Sequence, residues 1–377
     1  MKTKNTILCS ILALTLCSSV NAFSVSALMQ NDALKQDKET LTSILQSKVK
    51  VSPIDSESQI SPAMQLIEAI KNHDVATASD FLDYADEFDV DEQDELGFTP
   101  LIWAIKTDGM ESIANRLIYL SDLSKVDIKN RNALMWAIDK KKKSISNDII
   151  QYMEDFYSAE AFNVQDKDGA TALAHAVNAM EIDTITRLLK VRDEMNNHVV
   201  IINPTELKEH PRFGESPVIN STCVGADGKM LKKFIDAKYD NGDYRADLNY
   251  ADDLGYTALS RASHCSLTEV SMLLSAKDKN GKYRVTNMNS SRFEENPLIM
   301  AIIGGRMDIV QTLVQAKDTN GKYRVDLNVE LNSSFTYGLA DGTDIFIKEG
   351  DTPLNIAMKA KRKEIATYLL NVKMARG

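Results

Sequence analysis

Cysteine is scarce in this 377-residue chain: Cys9, Cys17, Cys223 and Cys265 are the only four, and no two form a Cys-x-x-Cys pair. That excludes a disulfide-framework scaffold and a four-cysteine zinc module. Glycine (16) and proline (8) are also few, which rules out collagen-like and low-complexity chains. No apolar run reaches the ~20 residues that a bilayer crossing needs. Positive charge is in deficit, with 44 Lys and Arg against 54 Asp and Glu for a net −10. A field of that sign argues against nucleic acid or an anionic membrane as partner, and it names no other. Catalytic signatures are missing too. HExxH, GxSxG and GxGxxG do not occur, and Gly225-Ala226-Asp227-Gly228-Lys229 has neither the spacing nor the hydroxyl of a phosphate loop. The five histidines, His73, His175, His198, His210 and His264, are scattered, which suits packing or surface roles. No catalytic residue, metal ligand or cofactor is expected, and the chain is not read as an enzyme.

What is present begins with a leader. Lys2 and Lys4 precede a largely apolar stretch from Thr6 to Cys17, and Val20-Asn21-Ala22 is a small-residue cleavage site. This is the layout of a secretory signal peptide over residues 1–22, too short to be a membrane anchor. A lipidated Cys17 is disfavoured by the bulky Leu16 before it. Cleavage leaves Cys223 and Cys265. Export permits them to pair. Their near-equivalent positions in neighbouring repeats instead predict a separation beyond the ~5.5–6 Å between Cα atoms that a disulfide prefers. The simpler reading is of two small buried residues.

Self-similarity then dominates. Thr99-Pro100-Leu101-Ile102-Trp103-Ala104-Ile105 recurs as Asn132-Ala133-Leu134-Met135-Trp136-Ala137-Ile138 and as Thr171-Ala172-Leu173-Ala174-His175-Ala176-Val177. Further starts lie at Ser216-Pro217, Thr257-Ala258, Asn296-Pro297 and Thr352-Pro353, with a degenerate copy at Ser61-Pro62. Successive starts are 38, 33, 39, 45, 41, 39 and 56 residues apart, a basic unit of 33 with insertions. In each, a Thr, Ser or Asn caps a helix whose first turn accepts Pro, and a second helix follows with apolar residues at helical spacing. Upstream sits an Asp- and Gly-rich turn, as in Asp94-Glu95-Leu96-Gly97-Phe98 and Asp252-Asp253-Leu254-Gly255-Tyr256.

These units resemble the ankyrin repeat, over residues 61–377 and about eight copies. The resemblance implies an all-α repeat solenoid of helix-turn-helix units whose turns project as fingers, and an activity of binding other proteins. The His that usually follows Thr-Pro-Leu is replaced throughout, by Ile102, Met135, Ala174, Ile219, Ser260, Ile299 and Asn355. Several units also lack the usual Gly between helices. Residues 23–60 fall outside the pattern. Asp32 to Lys48 is expected as an amphipathic helix, through Leu34, Leu41, Ile44 and Leu45, followed by a linker.

The insertions carry a second repeat. Ala237 to Arg245, Ala276 to Arg284 and Ala316 to Arg324 share Asn-Gly followed by Tyr-Arg, and a looser copy spans Lys190 to Asn203. Asn-Gly predicts a tight hairpin with both residues at positive φ, and hence elongated β-hairpin fingers standing in a row. Tyr244, Arg245, Tyr283, Arg284, Tyr323 and Arg324 are therefore candidate contact residues, being of hot-spot type. The competing reading packs each Tyr on a finger and pairs each Arg with an Asp. In the largest insertion, Leu327 to Gly350, Phe335-Thr336-Tyr337 and Ile345-Phe346-Ile347 predict a further hairpin. The acidic run from Asp80 to Glu95 and the basic Lys359, Lys361, Arg362 and Lys363 read as solvated surface, or as contacts for oppositely charged partners.

The leading expectation is an exported bacterial ankyrin scaffold that binds an unidentified protein in the periplasm or as a secreted effector. Its rivals are an enzyme or small-molecule binder with a site built from the insertions, and a structural envelope component.

Overall fold

The structure is a computed structural model and describes residues 60–207, 216–224 and 227–376. The expected leader, residues 23–59 with their expected helix, His210 and the end of the first insertion lie outside the described residues.

Ser61, Thr99, Asn132, Thr171, Ser216, Thr257, Asn296 and Thr352 each cap a helix, accepting a hydrogen bond from a first-turn backbone N–H. Those N–H groups have no partner inside the helix, so each cap contributes ~1 kcal/mol. The helices so started are α1 (Pro62–Lys71), α3 (Pro100–Lys106), α5 (Ala133–Asp139), α7 (Ala172–Asn178), α9 (Pro217–Asn220), α11 (Ala258–Cys265), α13 (Pro297–Ile303) and α15 (Pro353–Lys359). Each is followed by a partner: α2 (Val75–Leu82), α4 (Glu111–Ile118), α6 (Lys143–Phe156), α8 (Ile182–Leu188), α10 (Lys229–Asp236), α12 (Leu267–Ser275), α14 (Met307–Gln315) and α16 (Lys363–Arg376). First helices stack on first helices and second on second, so the main helix contacts among the described residues run within a unit or between neighbours along the array. The core is the apolar seam between the two layers: Leu101, Ile105, Ile113 and Leu117 in one unit, Ile299, Ile302, Ile309 and Leu313 in another, all buried.

In six units the turn between helices holds a left-handed residue, while Ser266 makes the α11–α12 turn in extended conformation. Gly109 and Gly305 supply it in two units, but His73, Lys141, Met180 and Lys361 hold the same conformation at φ of 54–61°. The conformation survives loss of glycine because the packed helices on either side fix it, at roughly 1 kcal/mol per substituted position.

The fingers are built from one recurring loop. In Asp278-Lys279-Asn280-Gly281-Lys282 the Asp278 carboxylate accepts from the N–H groups of Asn280 and Lys282, Gly281 is left-handed, and the bridge Lys277↔Tyr283 closes the ring. Asp318 forms the same loop. So do Asp127, with Asn130 in the glycine position, and Asp166. The insertions therefore repeat the ordinary repeat turn a second time. This corrects the expected turn geometry: Gly242, Gly281 and Gly321 alone adopt positive φ, while the Asn before each does not. A single bridge closes each inserted finger.

Two full strands occur among the described residues, β1 (Phe335–Gly338) and β2 (Asp344–Ile347), antiparallel with Phe335 opposite Ile347. Ile345 and Ile347 are buried, Phe335 and Tyr337 pack on Phe293 at 4.9 and 5.1 Å, and Phe346 points to solvent.

Candidate interaction surface

The six residues singled out by the finger pattern form an internal staple. Arg284 donates to the carbonyls of Ile235 (2.6 Å) and Ala246 (2.8 Å) in the preceding unit, and lies 3.9 Å from the Tyr244 ring. Arg324 repeats this on Leu274, Val285 and Tyr283, and Arg245 on Leu189 and Val200. The finger's own lysine covers the Tyr ring as well, with Lys238 4.6 Å from Tyr244 and Lys277 4.6 Å from Tyr283. Each of these tyrosines is thus held between two cations. Burial pushes the pKa of all three arginines down from the usual value, though the side chain stays charged. Arg245 is 5% exposed. This is an internal role that neither sequence reading gave the arginines: among the described residues none pairs with Asp, and two carbonyls at the end of the previous second helix and finger match the guanidinium fork. Tyr244 and Tyr283 are half-buried; Tyr323 is exposed at 42% and carries Arg376 at 3.6 Å.

His198 occupies the tyrosine place in the first inserted finger. Its Nε2 lies 3.1 Å from Arg192, which also makes a two-pronged ion pair with Asp240. Burial, then the charges of Arg245 and Arg192, push the His198 pKa down.

An asparagine ladder runs beside this staple and was missed in the sequence. Asn249 donates to Arg284 O (2.7 Å) and accepts from Thr286 N (2.7 Å). Asn163 does the same with Val199 and Ile201, Asn203 with Arg245 and Asp247, and Asn289 with Arg324 and Asp326. A primary amide offers one donor and one acceptor side by side, so it pairs with extended backbone as a neighbouring strand would. The available signal was a buried apolar residue followed by Asn near the start of each finger segment: Phe162, Ile202, Leu248 and Met288 precede the four.

On the first-helix side the finger carboxylates reach a residue nine positions on. Asp94 accepts from Trp103 Nε1 (2.8 Å), Asp127 from Trp136 Nε1 (3.1 Å), and Asp166 faces His175 Nε2 (3.1 Å). Neighbouring fingers are joined through backbone, Ile128 N to Leu96 O and Lys167 N to Lys129 O, both 3.0 Å. With the carboxylates and backbones so engaged, the loops turn apolar side chains outward: Leu96, Ile128 and Leu254 are 47%, 52% and 53% exposed.

Cys223 and Cys265 are bonded, with Cα atoms 5.8 Å apart, which overturns the expected separation. Nor are they buried: Cys223 is exposed and Cys265 half-exposed. Cys223 follows a helix of only four residues and takes a left-handed φ, which swings its side chain toward the next unit. The buried Glu269 accepts from Cys223 N at 2.9 Å, and burial pushes its pKa up. The disulfide borders a cavity of about 460 Å³ lined by Asp252, Tyr256, Arg261, His264 and Tyr337. A larger open groove of about 950 Å³ lies along Tyr157, Asn163, Asp193, His198 and Glu206. The basic residues of the last unit are partly engaged, since Lys359 pairs with Asp351 and Arg362 donates to Ile303 O.

No protein-family model matches the chain, and neither does any curated protein. Among solved structures, the ankyrin repeat domain of Bcl-3, described as a unique member of the IkappaB protein family, aligns with 68% of this chain and 99% of its own at 17% identity and a TM-score of 0.42. The fold rests on the geometry already given: eight capped helix pairs, stacked in two layers and joined by bridged finger loops, make the described residues an all-α repeat solenoid of the kind that the ankyrin resemblance implies.

Proposed function

We propose that this chain is a protein-binding scaffold, exported through its 1–22 leader, whose partner is recognised along the row of fingertips. The observation that carries the reading is the outward presentation of Leu96, Ile128 and Leu254 from loops whose backbones are locked. Apolar side chains on a rigid support lose little conformational entropy on binding, which favours affinity. A specific interface needs roughly 800 Å² per partner, an area that a row of several fingers supplies and a single loop does not. The Tyr/Arg staple acts one step behind this surface by fixing the inserted fingers to one another. No catalytic role is assigned.

The test is affinity capture from the organism's own envelope and secreted fractions, with two altered baits. Leu96→Asp combined with Ile128→Asp leaves the core untouched, so the helical circular dichroism stays and the captured partner is lost. Tyr244→Ala with Tyr283→Ala is expected instead to lower the unfolding midpoint while a folded bait still captures. Retention of the partner by the Leu96/Ile128 double variant would remove the fingertips from the reading. The mass of the exported chain checks the leader: it is expected to begin at Phe23.

A further inference from the structure

The Lys106 ammonium, at the C-terminal end of α3, sits among three aromatic rings. Its Nζ is 3.9 Å from the Trp136 centroid, 4.0 Å from Phe98 and 5.3 Å from Trp103. Phe98 meets both indoles edge to face, at 5.4 and 5.5 Å with interplanar angles of 89° and 90°. The rings therefore bound a point in space, and what fills that point is a cation where a core would place carbon. Among the described residues no carboxylate pairs with Lys106 and no hydrogen-bond acceptor is within reach of its Nζ. Its neighbour Lys71, over the outer Trp103 ring at 4.2 Å, does have a carboxylate, Asp94 at 3.8 Å. Burial lowers the Lys106 pKa, with the charges of Lys140 and Arg131 adding to the effect and those of Asp127 and Asp94 opposing it.

The rings are held without help from Lys106. Asp94 fixes the Trp103 indole and Asp127 fixes that of Trp136, and both carboxylates are themselves pinned by finger N–H groups. Phe98 and Trp136 are buried. A lysine brings three N–H donors into a site that offers them no acceptor, so it occupies the space poorly. Each added methyl group removes one such donor, and a quaternary ammonium has none to leave unsatisfied while it keeps the attraction to the ring faces. Lys106 is half-exposed on a flexible four-carbon stem and can swing to water.

We propose that Phe98, Trp103 and Trp136 form a preorganised aromatic cage for a methylated or quaternary ammonium group, and that Lys106 plugs the cage in the free protein. The ligand is defined by that head group. It reaches the cage either on a small molecule or on a methylated lysine side chain of a bound protein.

Trp103 and Trp136 are the only tryptophans in the chain, so its indole fluorescence reports on this site alone. The full chain and its Lys106→Ala variant, each checked by circular dichroism, are titrated with choline, trimethyllysine, unmodified lysine and sodium chloride at matched ionic strength. The expected result is a saturable fluorescence change with choline and trimethyllysine in both proteins, about tenfold tighter once the plug is gone. Choline binding more tightly would assign the site to a small molecule, and trimethyllysine binding more tightly would assign it to a protein side chain. Three outcomes would overturn the proposal: no saturable change in the variant, equal response to unmodified lysine, or response in the variant with none in the unaltered chain. The last would make Lys106 a permanent part of the wall.

Discussion

His175 shows how a residue outside any motif acquires a defined charge state. Its Nδ1 lies 2.8 Å from Asp139 and its Nε2 3.1 Å from Asp166. Burial alone would lower its pKa, but hydrogen bonds to the two carboxylates and their charges outweigh burial and raise it to about 9 from 6.5. The folded value exceeds the unfolded one, so the contribution to stability is complete below pH 6.5 and disappears as pH rises through 9. A gap of that size corresponds to roughly 3 kcal/mol at most. Urea unfolding at pH 6 and pH 9.5 is expected to show this loss in the unaltered chain and not in His175→Gln. His198 works in the opposite direction, since burial and two arginines lower its pKa and its effect falls below pH 6.5. The two windows do not overlap, so a single pH series separates them. Neither environment was legible in the sequence. Asp139 lies 36 residues before His175, and the arginines around His198 come from two different fingers.

The finger loop is the element in which sequence and structure agree most closely and then part. Asp at its start and Gly or Asn three residues later were visible, because an Asp carboxylate capping its own loop and a left-handed fourth residue are local requirements. What could not be read is how tightly each loop meets the next. Gly97 and Gly281 have the same backbone conformation, φ 74° and 79°. A Cβ at Gly97 would lie 2.9 Å from Asp127 Cα and 2.9 Å from Ile128 N, whereas one at Gly281 would meet nothing within 4 Å. Gly281→Ala is therefore expected to cost only the left-handed penalty, about 1 kcal/mol. Gly97→Ala must also push two finger backbones apart, including the hydrogen bond from Ile128 to Leu96, and should cost at least about 2 kcal/mol more. Paired urea curves with unchanged slopes decide between them; equal midpoints would mean that the fingers slide past one another freely. The finger tyrosines and arginines divide in the same way. Their period was legible, but their direction was not, because each Arg reaches back over the unit before it.

For the array as a whole, stability is a chain of nearest-neighbour terms, and its ends and its weakest joint need separate provision. The weak joint is the unit of the four-residue α9, where the disulfide closes a separation of 42 residues and in the chain-entropy picture contributes about 4 kcal/mol. At Tyr323, Val314 and Val325 the guanidinium comes from the last described helix: Arg376 donates to Val325 O at 3.2 Å and to Val314 O, and stacks 3.6 Å from Tyr323. The residue thus takes the place that Arg245, Arg284 and Arg324 hold in earlier units, from a helix and not from a finger. Sequence comparison between repeats cannot find it, because no Tyr-Arg pair marks the position. Arg376→Ala should leave two carbonyls and a tyrosine face without their partner and raise local opening by about 1–3 kcal/mol. Arg376→Lys keeps the charge but not the fork, and should recover less than half of that. Amide hydrogen exchange is the measurement that locates the effect. Faster exchange is expected in α14 and the finger at 316–325, with α1 to α8 unchanged, because coupling falls off with each interface crossed. Exchange rising evenly along the chain would show that the array opens as one unit and that Arg376 guards all of it.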